Sequence, residues 1–178
     1  MDIQDLPEPD DDAIRRGDPD AFTALYIRYA PRVLGYLLRL GVARQDAEDL
    51  TQETFLAALR GSGRFGGRSR PLAWLLGIAV RRWRDGNRRG PAPKQVSVEP
   101  GPDTAKQALR KVTLEHSLLQ LDEPLREALL LVVVQGLSYA EAAGALAIPL
   151  GTLKWRLHEA TRRMRRLLSE GEELPHEP

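Results

Sequence analysis

Between Gly86 and Thr104 the chain reads GNRRGPAPKQVSVEPGPDT, with four prolines and three glycines in nineteen positions. Proline fixes φ and removes a backbone donor, and glycine loses the most freedom on ordering, so no helix or strand runs through such a stretch. It divides the 178 residues into two blocks, each of which must bury its own apolar side chains. Only 6% of residues are aromatic, and Ala, Leu and Arg recur at helical spacing, so both blocks are expected to be helical. The reading is an all-α protein with domains at residues 10–89 and 107–169 and a flexible linker at 90–106. Domains of this size have only modest cores.

In the first block, Phe22, Leu25, Tyr26, Tyr29, Val33 and Leu37 fall three and four apart and make one apolar stripe over residues 21–38. Pro31 is expected either to kink this helix or to divide it. Gly41 is a stop signal, and a second helix is expected over 46–60, with Ala47, Leu50, Thr54 and Ala58 on one side and Asp46, Asp49 and Glu53 on the other. GSGRFGGRSR, residues 61–70, reads as a loop, and a third helix opens at Pro71, where the missing N–H costs nothing. In the second block, helices are expected near 107–120, 123–135, 139–146 and 150–168.

The net charge of +1 conceals segregation. The first twenty residues carry eight carboxylates and two arginines, whereas residues 79–94 and 154–166 each carry six Lys or Arg and one acid. The last ten residues hold four acids and no Lys or Arg. Absence of cysteine excludes disulfides, thiolate chemistry and cysteine-ligated zinc, and suits a reducing compartment. The acidic start lacks the apolar core of a signal peptide and no apolar run is long enough to span a bilayer, so a cytoplasmic chain without membrane insertion is expected.

LSYAEAAGALAIPLGTLKWRLHEATRRMRRLL, residues 137–168, is the most informative stretch. Ser138 followed three residues later by Glu141 is a capping-box signature. The alanine-rich helix after it is short enough, and its side chains small enough, for a second helix to cross closely. In that second helix Leu153, Leu157, Ala160 and Met164, with Leu167 or Leu168, form a buried stripe. Thr152, Lys154, Trp155, Arg156, His158 and Arg162 lie outside it. A short helix, a turn and a basic helix in this order read as a helix-turn-helix with its second helix in a DNA major groove; a merely solvated basic face is the plainer alternative.

Other residues keep two readings. Trp83, flanked by Arg81, Arg82 and Arg84, suits stacking on an unpaired base, and Trp74 less so; both also suit a core. Arg64, Arg68 and Arg70 with Phe65 fit either a clamp on a single strand or a flexible surface loop. The carboxylates Asp46, Glu48, Asp49 and Glu53 read as a protein-docking face rather than a nuclease metal site, since no histidine or second acidic cluster accompanies them. No phosphate loop or catalytic triad is present. No catalytic residue, metal or cofactor is expected, and His158 reads as a groove or solvent residue.

GDPDAFTALYIRYAPRVLGYLLRL, DAEDLTQETFLAAL, RFGGRSRPLAWLLGIAVRRWRD and the stretch from Leu137 to Leu168 together resemble the extracytoplasmic-function sigma factors, specificity subunits of bacterial RNA polymerase. The likeness spans residues 13–89 and 113–169. It implies that the first domain docks on the clamp helices of core polymerase and recognises and melts the −10 element. The second domain rides on the flap and reads the −35 element. Asp46, Glu48, Asp49, Gln52, Glu53 and Phe55 then correspond to core docking. Arg64, Phe65, Arg68 and Arg70 correspond to the base-accepting loop, and Trp74, Arg81, Trp83, Arg84 and Arg88 to the −10 contact. Arg126, Ser138, Thr152, Lys154, Trp155, Arg156, His158 and Arg162 correspond to the −35 contact.

The chain departs from the family pattern at Arg81, where asparagine is usual, at Trp155, where a serine is usual, at Ala142 in place of isoleucine, and in a proline displaced to Pro124. The resemblance further implies a monomer when free, core polymerase and promoter DNA as partners, and an anti-sigma protein as inhibitor. The competing reading is a stand-alone helix-turn-helix regulator, which would dimerise and bind duplex without polymerase.

Overall fold

The computed structural model describes residues 9–67, 69–87 and 105–172. The elements are α1 (Asp11–Arg16), α2 (Pro19–Leu40), α3 (Arg44–Arg60), α4 (Pro71–Asn87), α5 (Ala105–Gln120), α6 (Glu123–Leu129), α7 (Tyr139–Leu146) and α8 (Leu150–Glu172). There is no strand among the described residues. Most of the expected linker, residues 90–104, lies outside them. The helix after it opens at Ala105, two residues inside the span expected to be linker.

Capping explains the ends of the first helices. Asp10 accepts from the Ala13 amide to start α1, and Asp18 accepts from the Asp20 and Ala21 amides to start α2, with Pro19 in its first turn. Gly41, at φ 96°, ends α2 in the left-handed conformation that glycine adopts most readily. The stripe expected along α2 is buried except for Tyr26, which is 45% exposed. Pro31 does not divide the helix: it lies on the exposed side, so the lost hydrogen bond does not fall in the core. Helix α1 escaped the sequence reading because, at six residues, it is too short to show a period. It seats Ile14 in the core, fully buried.

α6 was expected to continue to residue 135 as a regular helix. Instead Leu130–Val134 widens into a π segment, in which the Gln135 amide reaches back to the Leu130 carbonyl at 2.9 Å. The widening buries Gln135 and leaves Val133 and Val134 exposed. α7 has the predicted bounds and capping box: Ser138 Oγ accepts from the Glu141 amide, and Glu141 Oε2 accepts from the Ser138 amide. Leu153, Leu157, Ala160 and Met164 of α8 are buried and Leu167 and Leu168 half-buried, as the spacing required.

The two helical domains pack on each other and share one continuous core, with α4 laid along α7 and the end of α2 against α5 and α6. Small residues make this possible. A Cβ placed on Gly77 of α4 would lie 3.3 Å from Cα of Ala145 and 3.7 Å from its Cβ. The alanine-rich surface of α7 therefore serves α4 as well as the second helix of its own motif.

Candidate nucleic-acid interface

Two basic surfaces and one apolar groove stand out. The first basic surface lies between α3 and α4, where a groove of about 890 Å³ is lined by Arg64, Trp74, Arg81, Arg82, Glu53 and Ile78, among others. Arg64 and Arg81 are exposed and Trp74 is half-buried at its rim. Phe65, expected on a flexible or strand-clamping loop, is instead a core residue at 2% exposure, with its ring centroid 4.9 Å from that of Trp74. Arg15 of α1 holds this loop from below by donating to the Phe65 carbonyl at 3.2 Å. The loop is thus anchored at its centre and presents Arg64 outward. Arg68 and Arg88 lie outside the described residues.

The remaining members of the expected −10 set face the second domain. Trp83 is 7% exposed and buries its indole N–H without a hydrogen-bond partner, so no base can stack on it in this arrangement. Arg84 donates from Nε and Nη2 to the two carboxylate oxygens of Glu127, at 3.0 and 2.6 Å, and from Nη1 to the Leu146 carbonyl at 3.1 Å. The Glu127 partnership raises the Arg84 pKa above the ordinary arginine value, against the opposing effect of burial. Arg70 donates to both carboxylate oxygens of Glu141 at 2.9 Å and to the Gly136 carbonyl at 2.7 Å. That pairing, with the Ser138 hydrogen bonds, holds the Glu141 carboxyl down to about 2 although partial burial opposes it.

The second basic surface is the outer side of α8. Lys154, Trp155 and His158 are exposed, Trp155 at 63%, and Thr152 and Arg156 are half-buried. Arg156 buries Nη1 without a partner. A groove of about 570 Å³ between Tyr139 and the Lys154, His158, Arg162 and Arg165 side chains runs beside these residues. Arg162 reaches this edge while donating to Glu159 at 2.7 and 2.9 Å, and Arg163 joins Glu159 to Asp122 of the α5–α6 turn. The two arginines hold Glu159 at a pKa of about 2. One carboxylate thus orders two cations of the basic face.

Two expected −35 residues are not on that face. Ser138 is spent on capping α7. Arg126 turns toward the end of α2, its guanidinium 3.5 Å from where a Gly41 Cβ would stand. There burial lowers its pKa, with Glu123, Glu127 and Asp122 opposing that effect. Helical periodicity cannot foresee this, because it says which side of α6 is polar but not which domain that side meets.

On α3, Asp46, Glu48, Asp49, Gln52 and Glu53 are exposed along one side. Phe55 is different: it is 7% exposed and packs edge-on against Tyr26, with centroids 5.0 Å apart. Beside it runs an apolar groove of about 630 Å³ with Tyr26, Ile27, Leu56 and Leu59 on its walls, each 42–50% exposed. The sequence reading missed this groove. Its signal was present, since Ile27, Leu56 and Leu59 are apolar side chains that fall outside the stripes of their helices. Among the described residues no cluster of His, Asp or Glu is arranged to hold a metal, and no helix is long and apolar enough to cross a membrane.

Comparison with known proteins accounts for the joint presence of these surfaces. Sigma-70 region 2 matches residues 25–90 and sigma-70 region 4 matches residues 111–164. The RNA polymerase sigma factor CarQ of Myxococcus xanthus is 36% identical over 88% of this chain and 94% of its own. In solved structures, the sigma factor RpoE bound to the anti-sigma factor NepR from Bartonella quintana superposes with a TM-score of 0.72 at 26% identity, covering 83% of this chain and 96% of that one. CnrH in complex with the cytosolic domain of CnrY superposes at 0.70 with 25% identity, covering 90% and 95%. With both regions matched in order, and with the ECF RNA polymerase sigma-E factor of Haemophilus influenzae 30% identical over 83% of this chain and 87% of its own, the chain belongs to the extracytoplasmic-function RNA polymerase sigma factors, which direct promoter-specific transcription initiation.

Proposed function

We propose that the chain divides this task among its three surfaces. The acidic side of α3, with Asp46, Glu48, Asp49, Gln52 and Glu53, docks on core RNA polymerase, and the apolar groove beside Phe55 supplies the buried area that charge alone does not. The α3–α4 groove takes the unpaired non-template strand of the −10 element: Trp74 offers a stacking surface, and Arg64 and Arg81 offer phosphate contacts. The first turns of α8 enter the major groove at −35, with Trp155 and His158 toward the bases and Lys154 and Arg162 toward the backbone.

On this reading the chain is not itself an enzyme. It acts in the cytoplasm, on polymerase and promoter DNA, and it has an anti-sigma protein as inhibitor; RpoE from Bartonella quintana is in complex with such a protein, the anti-sigma factor NepR. The observation that carries the reading is the pair of basic surfaces, one on each matched region, with an acidic docking side ahead of both in sequence. Reconstitution tests it. The purified chain should form a one-to-one complex with core polymerase at about 0.15 M salt, where nonspecific attraction is damped, and should support run-off transcription. Asp49→Lys with Glu53→Lys should weaken the complex at least tenfold. Tight binding of a dimer to promoter duplex without polymerase would instead favour a stand-alone regulator.

A further inference from the structure

Helix α1 lies ahead of the matched sigma-70 region 2, residues 25–90, so the family match gives it no task. Ile14, fully buried, seats it on the core, and its polar side chains then close on the loop that leaves α3. At its end a Cβ on Gly17 would lie 3.2 Å from Ser62 Oγ, in the 3₁₀ turn Ser62–Arg64. Arg15 Nε donates to the Phe65 carbonyl at 3.2 Å, while Asp12 holds the same guanidinium through Nη1 at 2.8 Å. At the start of the helix, a Cβ on Gly67 would stand 3.1 Å from Asp11 Oδ2 and 3.7 Å from Arg15 Nη2. One short helix thus meets the loop at three points, running against it in chain direction.

The loop needs such fastening. Residues 61–67, GSGRFGG, hold four glycines, and glycine backbone loses the most entropy on ordering. Its own hydrogen bonds are few: the Arg64 amide reaches the Gly61 carbonyl and the Phe65 amide the Ser62 carbonyl, each at 2.9 Å. The Arg15 contact falls at the residue that matters most for the groove. The Phe65 ring is 2% exposed and lies 4.9 Å, centroid to centroid, from Trp74, the proposed stacking surface. Arg64, the next residue back, is on the groove wall, and Arg15 is not.

We infer that α1 is a positioning element for strand opening, in which Arg15, acting through the Phe65 carbonyl, fixes the Phe65 ring against Trp74 and so the face on which an unpaired −10 base stacks. This inference rests on the assignment of the α3–α4 groove to the −10 strand. Arg15 touches the backbone of the loop and not the nucleic acid. By ordering a glycine-rich segment before DNA arrives, it removes that cost from base capture, and a captured base is one that no longer pairs with the template strand.

The test uses full-length parent, Arg15→Ala and Arg15→Lys chains, each assembled with core polymerase. Each holoenzyme is titrated with a labelled −10 non-template oligonucleotide and with a set in which one base at a time is replaced by an abasic site. In the parent, removal of the base held on Trp74 should weaken binding about tenfold, the size of one base–aromatic stack. In Arg15→Ala the intact oligonucleotide should bind about fivefold more weakly, and the penalty at that one position should fall to about twofold, with the other positions unchanged. Arg15→Lys, which keeps a cation able to donate to the carbonyl, should recover most of the penalty. Affinity for core polymerase and the urea midpoint should match the parent, because Arg15 is on the exposed side of α1 and Ile14 does the seating.

An abasic profile in Arg15→Ala identical to that of the parent would overturn the inference. So would weakening at every position alike, or a loss of core affinity, since either would mark Arg15 as a support of the fold at large. A lysine variant no better than alanine would remove the carbonyl hydrogen bond from the account. If Arg15→Ala does not fold, Asp12→Asn reads the same effect, because it loosens the guanidinium without touching the loop; it should shift the profile the same way by a smaller factor, and an unshifted profile would count against positioning. A parent holoenzyme with no position-specific penalty would instead bring down the assignment of the groove itself.

Discussion

Arg84 and Glu127 form a two-pronged ion pair across the domain boundary, at 3.0 and 2.6 Å, with the Glu127 side chain 2% exposed and that of Arg84 30% exposed. A carboxylate this deeply buried is tolerable only with a cation in place, and the cation comes from the other matched region. The pair therefore couples the stability of one domain to the position of the other. It also commits Arg84 to protein rather than DNA for as long as the domains stay together.

Removing the charge of Glu127 should accordingly destabilise the chain. Glu127→Gln is expected to cost about 1–3 kcal/mol, below the range for a fully buried broken pair because Arg84 retains some contact with solvent. Urea unfolding of the single and double variants with Arg84→Met, taken as a double-mutant cycle, should return a coupling above about 1 kcal/mol. A coupling near zero would mean that the pair contributes nothing.

The Arg70–Glu141 contact gives a pH signature. Because the Glu141 pKa is lowered to about 2 from an ordinary 4.5, its contribution to stability is fully present above the ordinary value and is lost as pH falls through the folded-state value. Carboxyl NMR should therefore find Glu141 titrating near 2, and Arg70→Ala should move that midpoint upward. Some lowering should persist, since the Ser138 hydrogen bonds remain. A midpoint unmoved by Arg70→Ala would show that the domains do not meet at this point in solution.

Ala147 ends α7 at φ 53°, ψ 46°, a left-handed conformation in which its Cβ is strained. Ala147→Gly should relieve that strain at the turn of the helix-turn-helix. A gain of about 0.5–1 kcal/mol in the stability of the full chain is expected, after the extra flexibility of glycine in the unfolded state is allowed for. Thermal or urea unfolding measures it, and a loss of stability would contradict the assigned backbone geometry.

Trp155 touches little of its own protein, so its value should lie in binding. Trp155→Ala is expected to change stability by less than about 0.5 kcal/mol while weakening recognition of the preferred −35 sequence in the assembled holoenzyme. Lys154→Ala should act differently, weakening all sequences alike and lowering the salt dependence by about one phosphate contact. A loss of folding in Trp155→Ala, or equal effects of the two substitutions on all −35 sequences, would remove Trp155 from the specificity-determining residues.

What the sequence determined by itself was local. Ser138 with Glu141 fixed the start of α7, Gly41 the end of α2, and the spacing of Leu153, Leu157, Ala160 and Met164 the inner side of α8. Each of these depends on hydrogen bonds or side-chain directions set within one or two helical turns. The motifs that carried the family resemblance belong to the same class of information, and so does the segregation of acidic and basic surfaces. Tertiary structure decided the fate of Phe65, Trp83, Arg84 and Arg126. Nothing within a helical turn reveals that Glu127 will face Arg84, 43 positions away, or that Gly77 will admit Ala145. A polar stripe on a helix marks where charge can be placed; only the packing of one helix on another decides whether water, nucleic acid or a second carboxylate meets it.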